Sequence, residues 1–161
     1  MHIGTYLRRE RKERGHETKR LSRKSGVDIQ RIHKLERDPS RVRVDAVFNL
    51  VHGLGLKVFI YPEGYPQRRD YLDLGDPDQT RFEIADLIKT LRKRKGIYQK
   101  DIAKAVGLSP LAVGQWEKYG FTSTTDKFIK VMRFLGCGVD VSRSTASRDW
   151  VEGISITHPD E

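Results

Sequence analysis

Apolar positions run along this chain in one spacing, twice. Leu7, Leu21, Val27, Ile32, Leu35 and Val51 are answered 81 residues later by Ile88, Ile102, Leu108, Val113, Trp116 and Met132. Identities fall in the same register: Ile3 on Ile84, Arg11 on Arg92, Lys12 on Lys93, Gly15 on Gly96, Lys19 on Lys100 and Gly26 on Gly107. Glu36 falls on Glu117, Asp45 on Asp126, Leu54 on Leu135, Gly55 on Gly136 and Val58 on Val139. A gapless match from the N-terminus to about residue 141 is an internal duplication.

Within each copy the pattern predicts four helices separated by punctuation. The first runs to about Arg14, or from about Thr80 to Lys95, and is stopped by Gly15 or Gly96. A short helix follows near residues 18–25 and 99–106, ending at Gly26 or Gly107, the residue type that a tight turn with positive φ favours. Asp28 and Ser109 are good N-caps for the next helix, and Pro110 suits a first helical position, where its missing N–H costs nothing. The fourth helix is expected near 44–53 and 125–135.

After the fourth helix the period changes. Leu56-Lys57-Val58-Phe59-Ile60-Tyr61 is β-branched and aromatic and predicts a strand, Val139-Asp140-Val141 a shorter and weaker one. Gly153 to Thr157 is a further strand candidate, which Ser142–Ser147 could fold back as a hairpin over Trp150. The expected units are residues 1–61, a linker at 62–79 rich in Pro and Gly, residues 80–142, and a tail at 143–161. At this length the linker allows the units several relative orientations. The first strand has apolar residues on both faces and would leave a poor edge in water. Leu56, Val58 and Ile60 are therefore expected at a pairing seam, with the strand of copy two, with the tail strand, or with the same strand of a second chain. Two small domains with an exposed edge favour the last, a homodimer.

Charge narrows the partners. Lys and Arg number 31 against 22 Asp and Glu, a net charge of +9. Residues 1–60 hold 15 basic and 7 acidic side chains and residues 81–141 hold 12 and 6, whereas 61–80 has 2 against 5 and 142–161 has 2 against 4. Two basic units beside acidic segments suit a polyanion such as a nucleic acid better than a membrane surface. The single Cys137 leaves no internal disulfide and no cysteine metal cluster. The five histidines show no metal spacing, and no phosphate loop or Ser-His-Asp set is present. No catalytic residue, metal or cofactor is expected, and no window of the sequence is apolar enough to span a membrane.

A short helix, a glycine turn and a capped second helix make the helix-turn-helix pattern. Leu21-Ser22, Gly26-Val27-Asp28, Ile32 and Leu35-Glu36 resemble the Cro/CI (XRE) family of repressors. Gln99, Ile102-Ala103, Gly107-Leu108-Ser109, Val113 and Trp116-Glu117 resemble it more closely. The first copy has Ser22 where the family prefers Ala, and Glu17-Thr18 where it prefers Thr-Gln. Glu36-Arg37-Asp38-Pro39 and Leu54-Gly55-Leu56-Lys57-Val58-Phe59-Ile60 are also similar to the HipB-type antitoxins of this family, in which a strand after the last helix pairs across a dimer axis.

The resemblance implies a mainly α fold, two tandem lambda-repressor-like helix-turn-helix domains each followed by a short strand. It implies a cytoplasmic, nucleoid-associated transcriptional regulator of prokaryotic or phage type, a repressor or autoregulator, with a double-stranded operator as partner. The alternative is an antitoxin-like or adaptor protein whose main work is binding a toxin or other protein. Carried over residue by residue, the base-reading positions are Ile29, Gln30, Arg31, His33 and Lys34 in copy one, and Leu111 and Gln115, beside Pro110, in copy two. Gln can bond adenine bidentately, Lys can bond guanine, and an apolar side chain can meet a thymine methyl. Pro110, Leu111 and Gly114 leave copy two few hydrogen-bonding groups at this edge. Phosphate contacts are implied for Thr18, Lys19, Arg23, Arg37, Arg41 and Arg43, and for Gln99, Lys100, Lys104 and Lys118. Such contacts give affinity and register but no sequence information. Leu35 and Trp116 are expected in the core, and Glu36 and Glu117 as braces of the fold.

Overall fold

A computed structural model describes residues 1–62, 72–74, 76–143 and 153–157. Trp150, the segment 144–147 and much of the linker lie outside these residues. Four helices open the chain: α1 (Ile3–Glu13), α2 (Thr18–Ser25), α3 (Ile29–Arg37) and α4 (Val44–Gly53), followed by strand β1 (Leu56–Pro62) and a short strand β2 (Leu72–Leu74). The second half repeats the order with α5 (Pro77–Arg94), α6 (Gln99–Val106), α7 (Pro110–Tyr119), α8 (Thr125–Phe134), β3 (Cys137–Arg143) and β4 (Gly153–Ser155). The fold is mainly helical with one small sheet.

Local chemistry sets the helix ends. Gly26 and Gly107 close α2 and α6 at φ 73° and 74°, a conformation that a Cβ would strain. The Asp28 carboxylate accepts from the Arg31 N–H at 2.9 Å, and the Ser109 hydroxyl oxygen from the Ala112 N–H at 3.4 Å. Each cap satisfies a backbone donor that the first turn leaves without a partner. Helix α5 starts earlier than the apolar pattern indicated, because Asp76 caps it by accepting from the Asp78 N–H.

The four strands form one antiparallel sheet in the order β2-β1-β3-β4. The central pairing carries a symmetry. Phe59 lies opposite Asp140, its own equivalent 81 residues on, and the flanking pairs run evenly from Leu56–Arg143 to Pro62–Cys137. A second contact between equivalents lies in the loop before the fourth helix, where Arg43 bridges Thr124. There the Val44 N–H donates to the Ser123 carbonyl at 3.0 Å and the Thr125 N–H to the Val42 carbonyl at 2.8 Å, two bonds that exchange under the same operation. Two separate points at which equivalents face each other define an axis. The units are therefore related by a pseudo-two-fold rotation within one chain, the arrangement of an isologous dimer.

Leu56, Val58 and Ile60, expected at a pairing seam, lie at the seam with β3 of the second unit. The strand that carries them has β2 on one edge and β3 on the other, so neither edge is left for a second chain. All three side chains are buried, as are Val139 and Val141 across the pairing. Each such side chain contributes roughly 1.5–3 kcal/mol relative to exposure. The supposed linker supplies part of the closure, since β2 falls inside 62–79. β2 and β4 also stand 81 residues apart, so the duplicated architecture extends beyond the sequence match.

The halves share one core. Phe48 of α4 packs edge-to-face on Phe128 of α8 with ring centroids 5.5 Å apart. Phe121 joins at 5.7 Å and Trp116 lies tilted against Phe121 at 4.7 Å, while the Trp116 indole N–H donates to the Thr122 carbonyl. Strand β3 is longer than Val139–Val141 because a neighbour on each side offsets the poor strand propensity of Gly138 and Asp140. Gly138 is needed there, because a Cβ would stand 2.4 Å from the Tyr61 ring. The Tyr61 hydroxyl reaches on to donate to the buried Asp140 carboxylate at 3.1 Å.

Candidate nucleic-acid interface

Helices α2–α3 and α6–α7 each place a capped second helix over a first, with one stripe buried and the other in solvent. Ile32, Leu35, Val113 and Trp116 are buried. Between them Ile29, Gln30, Arg31, His33 and Lys34 are exposed, as are Leu111 and Gln115. All the residues assigned to base reading thus stand in solvent, in two sets that the pseudo-two-fold axis exchanges.

An ion pair fixes each of these helices, buried in the first unit and part-buried in the second. The Arg11 guanidinium meets the Glu36 carboxylate with two bonds, Nε to Oε1 at 2.7 Å and Nη2 to Oε2 at 3.2 Å, and its Nη1 donates to the His16 carbonyl at 3.0 Å. In the second unit Arg92 donates to Glu117 Oε1 from Nε at 3.0 Å and from Nη2 at 2.7 Å, and to the Ile97 carbonyl at 3.2 Å. These pairs tie the first helix, the loop after it and the third helix together, so both glutamates brace the fold. Two charges taken from water are tolerated because each finds its partners: a fork on both carboxylate oxygens in the first unit, and in the second two bonds to Oε1 with Gln99 on Oε2.

The phosphate assignments separate. Lys19, Arg23, Arg37, Arg41, Lys100, Lys104 and Lys118 are exposed, and Thr18 is half-buried. Arg43 is exposed, and its Nε sits 3.2 Å from Asp45 Oδ1, a pairing that water and salt screen. Gln99 is engaged inward, because its side-chain N–H donates to Glu117 Oε2. Its second amide N–H and its oxygen remain, and that oxygen would lie 3.3 Å from a Cβ at Gly114.

Copy one carries the stronger positive field. Arg20 and Lys24 of α2, which family positions alone do not single out, are exposed beside the assigned cations. Buried His16 registers them: burial first, then Arg20, Lys24 and Arg14, hold its imidazole below the ordinary value of 6.5. At the equivalent positions copy two has Asp101 and Ala105. The difference was present in the sequence as two cations missing from an otherwise matching repeat.

The Helix-turn-helix family model matches residues 88–142, from within α5 almost to the end of β3. The second unit carries a helix-turn-helix. The match supports the Cro/CI resemblance over that segment, and a family of this kind suggests a DNA-binding transcription regulator. No curated protein and no solved structure gives a significant match. Among the described residues no group of three His, Cys, Asp or Glu could hold a metal ion, and no helix is long and apolar enough to cross a membrane.

Proposed function

We propose that the chain is a sequence-specific double-stranded DNA-binding regulator, a repressor or autoregulator, in which two helix-turn-helix domains of the Cro/CI type act as the halves of a dimer joined in one polypeptide. The observation that carries this reading is the pairing of Phe59 with Asp140 and of Arg43 with Thr124, equivalents facing equivalents. A two-fold arrangement of reading helices is what two half-sites one DNA turn apart, about 34–36 Å, require. Ile29, Gln30, Arg31, His33 and Lys34 read one half-site and Leu111 and Gln115 the other. Thr18, Lys19, Arg23, Arg37, Arg41, Arg43, Lys100, Lys104 and Lys118 hold phosphates. Duplex binding measured against salt tests it. With about six to ten phosphates engaged, log affinity falls against log salt with a slope of about −5 to −9. A slope near zero refutes direct duplex binding.

A second reading is an antitoxin-like or adaptor role. It is favoured by Tyr98, Leu111 and Tyr119 of copy two, which are 65%, 70% and 62% exposed. A protein partner on these side chains would compete with duplex, and Tyr119→Ala, outside the assigned base-reading positions, would weaken its binding while leaving the salt slope unchanged.

A further inference from the structure

The pseudo-two-fold axis places unlike side chains at equivalent points of the two reading surfaces. Gln30 exchanges with Leu111, Arg31 with Ala112, His33 with Gly114 and Lys34 with Gln115. In the loop on the axis Arg41 exchanges with Thr122 and Arg43 with Thr124. A homodimer repeats its reading surface and so prefers a palindrome. This chain has homodimer-like geometry without the identity, and no exchange of subunits can restore it.

We infer that the ligand is an oriented, non-palindromic duplex with two unlike half-sites, one polar-read and strongly held, the other read by a thymine methyl and one adenine. This rests on the duplex reading above and adds which base each position meets. In the first half-site Gln30 offers an amide that matches adenine N6 and N7, and Lys34 offers a donor to guanine O6 and N7, one helical turn further on. In the second, Leu111 stands where Gln30 does and is 70% exposed, an apolar contact suited to a thymine methyl. Gln115 stands where Lys34 does and brings adenine to the position that is guanine in the first half-site. Along each reading helix the order is thus adenine then guanine in one half and thymine then adenine in the other. Gly114 in place of His33 removes a polar side chain from between these two contacts.

Selection of bound sequences from random duplex DNA by the full chain tests this. The expected motif has two dissimilar halves in fixed orientation, and replacing the second half by an inverted copy of the first weakens binding by about ten-fold or more. Leu111→Gln with Gln115→Lys changes exposed positions only and makes α7 match α3 at both reading points. The motif it selects should move toward a palindrome. A palindromic motif from the parent chain, a motif confined to one half-site, or an unchanged motif from the double variant overturns the inference while duplex reading stands. No enriched motif at all, with a flat salt dependence, overturns the duplex reading itself.

Discussion

The two halves of this molecule keep one scaffold and carry different surfaces. Arg11–Glu36 and Arg92–Glu117 are the same ion pair built twice, down to the third guanidinium bond to the carbonyls of His16 and Ile97. The helices they brace present Gln30, His33 and Lys34 in one copy and Leu111, Gly114 and Gln115 in the other. What holds the fold together is equivalent in the two halves, and what faces solvent differs. On the proposed reading, equivalent scaffolds keep two readers in fixed register and unlike surfaces let each meet a different ligand face.

The largest expected effects test the equivalence. Glu36→Ala and Glu117→Ala should each cost about 3–5 kcal/mol, because each leaves a buried or part-buried guanidinium without its counter-ion. Urea unfolding should show the two losses within about 1 kcal/mol of each other, in a single transition, because the copies share the Phe48–Phe128–Phe121 core. One variant tolerated and the other unfolded would break the comparison at its root.

Next come the surfaces, where the copies should differ. Gln30→Ala or Lys34→Ala should cost about 1–3 kcal/mol of binding on the selected site and relax preference at one base pair. Gln115→Ala should cost less, and Leu111→Ala least. Equal losses in titrations of both copies would remove the asymmetry. Smaller again are the caps: Asp28→Ala and Ser109→Ala should each lower thermal stability by about 1 kcal/mol, with little change in unfolding cooperativity.

A last difference is lost in acid. Buried Glu10 has Leu91 as its equivalent and links α1 to Arg143 at the end of β3. Burial acts to raise its pKa, but hydrogen bonds and charge from Arg14 and Arg143 outweigh this and hold it below its ordinary value of 4.5. A carboxylate lowered on folding adds stability that is full above the unfolded value and fades as pH falls through the folded one. Glu10→Gln should therefore destabilise most above about pH 5, and the gap to the parent should close in more acidic solution. A gap that widens in acid would contradict the assignment.

The helices were legible because their signals are local. Gly26, Gly107, Asp28 and Ser109 mark ends that depend on a few neighbouring residues, and the buried stripe follows from period alone. The sheet was less so. Cys137-Gly138-Val139-Asp140-Val141 reads poorly as a strand, since its propensity is overridden by neighbours distant in sequence. β2 lay in what composition marks as linker, and nothing in Leu72-Asp73-Leu74 resembles Gly153-Ile154-Ser155. Pairing between equivalents was one of three open possibilities, and only the register decided it. At the candidate interface every position assigned to base reading is exposed, as a solvent-facing stripe predicts, whereas Gln99 is turned inward by Glu117, a contact that family positions do not encode.

The central claim is that one chain supplies both halves of a two-fold reader. Sedimentation equilibrium of the chain with a duplex carrying the selected site, alongside footprinting, addresses it directly. The account predicts one chain per duplex with both half-sites protected at the same protein concentration. Two chains per duplex, each protecting one half-site, would contradict it.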